Sequence, residues 1–292
     1  MSETIGVIGL GLMGGALARN LRAAGYAVVG FDTDASIAGA AHDDGIEIAS
    51  GAAGVASQAD EVFLSLPTPE AVFATAQDLI DCGVSSRILI ETSTLDLDDK
   101  LHFAAMVAAA DHVPLDCPIS GTSAQAEVGD IVILASGASA AIARLAPVFG
   151  AIGREVFDLG EYGNGSRMKF IANLLVAIHN VASGEAMALA KKAGLDPYQV
   201  VRVIGAGAGT SRIFELRAPM MAAGCYEPPT MRLSTWQKDM GAIAAFAASL
   251  DFPTTLFDAT RGIYDAAISA GLGAQDTAAV CATIETMRKQ RS

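Results

Sequence analysis

Lys169 and Asn173 lie four residues apart in a stretch that runs from Gly163 to Gly194. One is an amine that can carry or release a proton; the other is an amide that can donate and accept hydrogen bonds. The stretch reads Gly-Asn-Gly-Ser-Arg-Met-Lys, then an apolar run to Ala-Lys-Lys-Ala-Gly. Asn164 and Ser166 are candidate N-caps, and Gly194 suits a C-terminal stop. No Pro interrupts, so the spacing predicts one helix over about 164–193, roughly 45 Å long. At about 100° per residue, Ser166, Lys169, Asn173, Asn180 and Gly184 share one narrow face. Phe170, Ile171, Leu174, Leu175, Ile178 and Val181 cover much of the rest. A Lys in so apolar a helix must surface or be paired. Either Lys169 snorkels at a helix end, or Lys169 and Asn173 point into a reaction site. A helix this long also suggests a spine shared by two domains.

The elements that would position such a site begin at the N-terminus. Ile5 to Ile8 is a short apolar strand, followed by Gly9-Leu10-Gly11-Leu12-Met13-Gly14. Ala16 to Ala24 has helical spacing closed by Gly25, and Ala27 to Phe31 is a second strand ending in Asp32. In this strand, turn, helix, strand context the three glycines form a dinucleotide cradle. The first allows the tight turn, the second admits backbone to a pyrophosphate, and the third lets helix and strand pack closely. The helix N-terminus offers N–H groups and partial positive charge to the phosphates. Asp32 follows Gly9 by 23 positions and can accept from ribose hydroxyls. Its charge, with that of Asp34, would repel a 2′-phosphate, and no Arg or Lys lies between Phe31 and Glu61 to attract one. NAD is therefore expected over NADP.

The alternation continues with strands at Glu61–Leu66, Arg87–Glu91, Val113–Asp116, Ile131–Ser136 and Val156–Leu159. Helices are expected at Glu70–Ile80, from about Asp96 to Ala110, and near Ala140–Phe149. The pattern predicts a Rossmann-like, doubly wound, mostly parallel sheet in an α/β N-terminal domain over 1–162. Leu66-Pro67 and Thr92–Thr94 fall at strand ends, where such sheets bind ligands, or are ordinary strand-to-helix turns. Asp116-Cys-Pro-Ile-Ser-Gly-Thr-Ser123 is rich in small residues, as an anion-binding nest needs, or is a plain loop. After Asn164 only helical segments are legible: Pro197–Ile204, Thr210–Ala222, Leu233–Ser249, Thr254–Ala270 and Asp276–Arg288. An all-α C-terminal domain over 163–292 is therefore expected, joined to the first by the long interdomain helix.

Composition narrows the function. The chain has 292 residues, enough for two domains, with 52% hydrophobic and 17% charged residues. A formal net charge of −13 disfavours nucleic acid and anionic membranes as partners. The cysteines Cys82, Cys117, Cys225 and Cys281 form no CxxC pair, so reduced thiols and a cytoplasmic location are expected. No signal peptide and no run of ~18 apolar residues is read, so no membrane span is expected. No metal-ligand spacing is found, so no metal is expected. His42, His102, His112 and His179 are rival acid/bases outside the motifs above.

Four ordered motifs carry a family resemblance: Gly9 to Gly14, Asp116-Cys-Pro-Ile-Ser-Gly121, Gly163-Asn-Gly-Ser-Arg-Met-Lys169 with Asn173, and Lys238-Asp-Met240. Over nearly its whole length the chain resembles the β-hydroxyacid dehydrogenases of the 6-phosphogluconate dehydrogenase superfamily, typified by 3-hydroxyisobutyrate dehydrogenase and tartronate semialdehyde reductase. The resemblance implies NAD-dependent interconversion of a small 3-hydroxy acid and its semialdehyde or keto form. It implies that Lys169 is the catalytic acid/base and that Asn173 holds the substrate hydroxyl or the lysine. Ser120 and Gly121 would grip the substrate carboxylate together with Thr122, which stands where the family usually has a second Gly and would narrow the anion pocket or add a hydroxyl donor to the substrate. Leu66, Pro67 and Thr94 would join the glycine turn and Asp32 in contacting the cofactor, and Lys238 would reach its nicotinamide end. Free Lys titrates near ~10.4, so the site must lower that value for the amine to act as a base near neutral pH. Gly209 to Arg217 resembles members that act on larger polyhydroxy acids such as threonate; Arg212 and Arg217 would bind an added polar group or pair with Glu215 or Asp239. Alternatives are an imine reductase-like enzyme and a non-catalytic NAD-binding module. Family members form dimers or tetramers, so a homodimer or homotetramer is expected.

Overall fold

Short runs of branched apolar residues, buried on both faces, become the central strands of a parallel sheet. The computed structural model describes residues 3–287. It opens with β1 (Thr4–Ile8), α1 (Leu12–Ala23), β2 (Ala27–Phe31), α2 (Ala35–Asp43), β3 (Glu47–Ile48) and α3 (Ala52–Ala56). Next come β4 (Glu61–Leu64), α4 (Pro69–Asp81), β5 (Ile88–Glu91), α5 (Leu97–Ala108) and β6 (Val113–Asp116). The first unit continues through β7 (Ile119–Ser120), α6 (Ser123–Glu127), β8 (Val132–Gly137), α7 (Ser139–Arg144), α8 (Ala146–Ile152) and β9 (Glu155–Asp158).

The strands lie in the order β3-β2-β1-β4-β5-β6-β8-β7, with β9 paired to β8. The pairings from β3 to β6 are all parallel. This six-strand order is that of the doubly wound dinucleotide fold, whose switch point falls between β1 and β4. Ile5, Val7, Phe63 and Ile90 pack on one face with α1 and α8. Ile8, Val62, Leu64 and Leu89 pack on the other with α3, α4 and α5. β8 turns back antiparallel to β6 and β7. Burial pattern reports that a strand is covered but not which way it runs, so the sequence could not show this reversal. The expected helix near Ala140–Phe149 is two helices, α7 and α8, with Pro147 opening the second. A Pro is tolerated at the first turn of a helix and not in its interior.

α9 (Asn164–Lys192) is followed by α10 (Pro197–Gly205), α11 (Arg212–Ala223), α12 (Leu233–Ser249), α13 (Thr255–Ser269), a 3-10 turn at Thr277–Ala279 and α14 (Val280–Thr286). Arg288, the expected end of the last helix, lies outside the described residues. The chain divides by its contacts into two units, with the boundary between Lys169 and Phe170, inside α9. Gly194 (φ +77°) ends α9, and Leu195 N–H returns to Ala190 O at 3.1 Å. α9 is long and apolar enough by composition to cross a membrane. Its polar stripe, however, is the buried one: Ser166, Lys169, Asn173, Asn180 and Ser183 are all buried, whereas Ile171, Leu175 and Leu189 are exposed. In the second unit Asn180 Nδ2 donates to Tyr264 OH and to Thr277 O, each at 2.9 Å.

His112, just before β6, is buried, and its Nδ1 accepts Arg87 N–H at 3.3 Å. Burial holds its pKa below the ordinary histidine value. The unfolded chain therefore takes up the proton first. This contribution to stability is present above about pH 6.5 and is lost as pH falls below that unfolded value. His112→Asn keeps an acceptor for Arg87 N–H without a titrating ring. Its melting temperature should fall less than wild type between about pH 7.5 and 5.5; equal slopes would remove His112 from the acid response.

Candidate active site

At the carboxyl end of β1 the glycines are fixed by contacts a side chain would break. Gly9 has φ +86°, and a Cβ there would lie 2.3 Å from Ser65 O. A Cβ on Gly14 would lie 1.9 Å from Gly9 O. A Cβ on Gly11 would meet nothing within 4 Å, so backbone there is open to a bulky group. No side chain caps α1. Its first-turn N–H groups, from Leu12, Met13 and Gly14, thus present the helix's positive end at the sheet's carboxyl edge. Asp32 closes the cradle: its Oδ2 accepts Leu10 N–H at 2.7 Å and its Oδ1 accepts Asp34 N–H at 2.9 Å. Carboxylate oxygens have more than one acceptor site each, so Asp32 keeps capacity for ribose hydroxyls. Asp34 has a different role: it caps α2, accepting Ser36 N–H at 2.8 Å. These features fit a dinucleotide: two glycines a Cβ would jam, one that leaves room, an uncapped helix start and an acid at the next strand end.

The neighbouring strand ends, β4 and β5, are tied together. Leu66 N–H donates to Ser93 Oγ at 2.9 Å, and Thr92 Oγ donates to Leu64 O at 2.8 Å. Leu66 is half-buried, Pro67 is exposed and Thr94 is half-buried, all on the same edge as the glycine turn. Thr92 and Ser93 thus serve the turn itself, while Leu66, Pro67 and Thr94 remain at the surface of that edge.

Ser120 ends β7 and pairs with Val132. Gly121 follows with φ +152°, where a Cβ would lie 2.7 Å from Ile131 Cγ2. Among the described residues its N–H donates to no protein group. Thr122 differs: it builds a capping box for α6 with Gln125. Its N–H donates to Gln125 Oε1 at 3.0 Å and its Oγ1 accepts Gln125 N–H at 3.3 Å. The hydroxyl also donates to Gln125 Oε1 at 3.3 Å, so the expected donor is engaged in holding a helix. Lys169, only 9% exposed, donates from Nζ to Ile119 O at 2.8 Å. The amine is thereby brought beside the Ser120–Gly121 turn within the first unit.

Asn164 and Ser166 do not cap α9 as acceptors. Asn164 Nδ2 donates to Leu159 O at 2.8 Å. The first-turn donors go instead to Ser136 Oγ, which takes Gly165 N–H at 2.9 Å, and to Asp116 Oδ2, which takes Ser166 N–H at 2.8 Å. Asp116 also accepts from Ser166 Oγ at 2.8 Å, and Lys100 Nζ lies 3.1 Å from its Oδ1. Glu91 pairs with the same amine. A signal for Lys100 existed: it shares a helical face with Phe103 and Val107, both buried.

In the second unit Asn173, 6% exposed, donates from Nδ2 to Asp239 Oδ2 at 3.1 Å. Lys238 is exposed on the same helix, α12. Asp239 was legible only as a possible partner for arginine, and its bond to Asn173 makes it part of the amide's setting. Arg212 pairs with Glu215 at 3.1 Å, and buried Arg217 with Asp276 at 3.4 Å. His102 packs edge-on against Phe73, with centroids 5.0 Å apart.

Residues 4–160 match the family model described as the NAD binding domain of 6-phosphogluconate dehydrogenase. Residues 163–284 match that described as the NAD-binding region of NADP-dependent 3-hydroxyisobutyrate dehydrogenase. The chain is 32% identical to an L-threonate dehydrogenase of Cupriavidus necator, over 96% of this chain and 95% of that protein. It is 29% identical to the chloroplastic glyoxylate/succinic semialdehyde reductase 2 of Arabidopsis thaliana, over 99% of this chain and 80% of the relative. The crystal structure of a 3-hydroxyisobutyrate dehydrogenase from Salmonella typhimurium matches with a TM-score of 0.85 and 30% identity, covering 96% of this chain and 99% of that one. The Mycobacterium tuberculosis 3-hydroxyisobutyrate dehydrogenase with L-serine matches with a TM-score of 0.90 and 26% identity, over 98% and 100%. With the glycine cradle and the strand order already in place, these matches show that the chain belongs to the β-hydroxyacid dehydrogenase family and is a nicotinamide-dependent oxidoreductase of hydroxy acids.

Proposed function

We propose that this protein oxidises a short 3-hydroxy acid with NAD, using Lys169 as general base, and runs the reverse reduction with the same group as general acid. The observation that carries the reading is the 2.8 Å bond from Lys169 Nζ to Ile119 O, one residue before Ser120. It sets a nearly buried amine beside the turn that would take the substrate carboxylate. Gly121 N–H and the Ser120 hydroxyl would fix that carboxylate, so that the hydroxyl carbon is held in one orientation. The bound nicotinamide supplies a hydride acceptor. Lys169, as a neutral amine, takes the hydroxyl proton as that carbon is oxidised; as an ammonium it returns the proton in reduction. Asn173, one turn further along α9, orients the hydroxyl or the amine, and Asp239 holds its amide. Gly9, Leu10, Gly11, Leu12, Met13, Gly14 and Asp32 would hold the cofactor, with Leu66, Pro67 and Thr94 at its edge and Lys238 toward its nicotinamide end.

Substrate size is read from two sides. Threonate dehydrogenases are among the relatives at 32% identity. Arg217, the buried candidate for an added polar group, pairs through Nε with Asp276, which also accepts Thr230 N–H at 2.7 Å and Ala278 N–H at 2.9 Å. Its Nη1 is buried without a hydrogen-bond partner among the described residues, so the pair leaves both a short acid and a four-carbon polyhydroxy acid to be compared directly. A panel of 3-hydroxyisobutyrate, L-serine, glycerate and L-threonate, each with NAD and NADP, and of a cyclic imine with the two reduced cofactors, tests this. A kcat/KM highest with NAD for an acid with a three-carbon main chain (3-hydroxyisobutyrate, L-serine or glycerate) is expected. Activity confined to the imine, or tight NAD binding with no turnover of any acid, would overturn it. Exposed Leu189, Leu195 and Val203 support the expectation of a homodimer or homotetramer, which sedimentation at several concentrations checks.

A further inference from the structure

We propose that Asp116, charge-paired with Lys100, is a positioning residue that sets the register of α9 and so delivers Lys169 to the Ser120–Gly121 turn. The inference rests on the reading of Lys169 as the acid/base. Its basis is a set of contacts within the first unit. Glu91, Lys100 and Asp116 are each fully buried. Burial alone would drive the proton from Lys100, but the carboxylates outweigh it and hold its pKa above the ordinary lysine value. Glu91 and Asp116 both face that amine, and Asp116 also meets the first turn of α9, where its Oδ2 accepts Ser166 N–H and its Oδ1 accepts Ser166 Oγ, each at 2.8 Å. An anion at a helix N-terminus is favoured by the dipole and satisfies donors the helix cannot satisfy itself.

The docking is close because Gly165 has no side chain. A Cβ there would lie 2.3 Å from Leu134 O and 2.7 Å from Asp116 O. Ser136 completes the joint, donating from Oγ to Asp116 O at 3.1 Å while accepting Gly165 N–H at 2.9 Å. The surrounding ionisable groups, Cys117 and Tyr162, are pushed by burial above their ordinary values and stay neutral. The joint fixes Ser166, and Lys169 stands three residues further along the same helix. A pair with this much buried charge does little for stability compared with apolar packing, which makes geometric specification the better account of its presence.

The test compares Asp116→Asn, which keeps an acceptor for Ser166 N–H but removes the charge, with Lys169→Met. Folding is checked by circular dichroism. Two quantities are read: steady-state kinetics, and the labelling rate of Lys169 by an amine reagent in the cofactor-free protein, followed by mass spectrometry. Asp116→Asn should lower kcat ~10–100-fold with KM for acid and NAD within about 3-fold, since a small misplacement of a reacting group is enough for that loss. It should also speed Lys169 labelling by several-fold. Wild-type kcat and labelling in folded Asp116→Asn, with turnover lost in Lys169→Met, would overturn the positioning role and leave the acid/base intact. Retained turnover in Lys169→Met would overturn the acid/base reading itself. If Asp116→Asn does not fold, Ser166→Ala serves in its place: a several-fold loss of kcat at constant KM is expected, and an unchanged kcat overturns the proposal.

Discussion

Lys169→Ala should lower turnover with the preferred hydroxy acid by ~10²–10⁴-fold and leave NAD affinity near that of the native protein. The amine donates to Ile119 O, whereas the cradle is held by its own contacts, among them Leu10 N–H to Asp32 Oδ2, so the dinucleotide cradle is expected to survive the truncation. The loss should sit in kcat, because a proton acceptor acts in the transition state and adds little to ground-state binding. Steady-state kinetics together with fluorescence titration of the reduced cofactor separate the two. Turnover near wild type would take Lys169 out of the chemistry. A loss confined to NAD affinity would move it into the cofactor site.

The second large effect concerns the cofactor. The kcat/KM ratio of NAD over NADP should fall ~10–100-fold in Asp32→Asn, about one to two factors of 1.4 kcal/mol. The amide still accepts Leu10 N–H, which Asp32 holds at 2.7 Å, so the glycine turn keeps its shape. What changes is charge: the carboxylate loses its strong acceptance from ribose hydroxyls and its repulsion of a 2′-phosphate. Asp34, engaged in capping α2, is expected to contribute less. An unchanged ratio in the variant, or equal use of both cofactors by the wild type, would remove Asp32 as the discriminator.

How far the sequence led is clear from particular residues. β1, α1, β2 and Asp32 were legible because glycine spacing, strand apolarity and a terminal acid all point to one supersecondary unit. The helices from Leu233 to Ser249 and from Asn164 to Lys192 were legible from period and punctuation. Between Asp34 and Asp60 nothing was read. α2 is mostly Ala and Gly, β3 has two residues and α3 has five, too short for any period to register. The reversal of β8 was hidden because a buried strand looks alike in either direction. Lys169, Asn173, Ser120 and Gly121 were legible as candidates, but what holds each of them was not. Asp116 reaches Ser166 across 50 residues of chain and Asn173 reaches Asp239 across 66. Such pairings are set by the tertiary fold and leave no local spacing. Thr122 shows the converse: its type suggested an added donor to substrate, and its neighbour Gln125 claims it for a helix cap.

The central claim is that the amine of Lys169 exchanges the proton that leaves the substrate hydroxyl. Single-turnover hydride transfer, followed by cofactor absorbance across pH in wild type and Lys169→Met, tests it most directly. The wild-type oxidation rate should rise with pH through one ionisation and then level, whereas the variant should be slower by ~10²-fold or more with that ionisation gone. The same ionisation persisting in Lys169→Met at a wild-type rate would assign the proton transfer to another group.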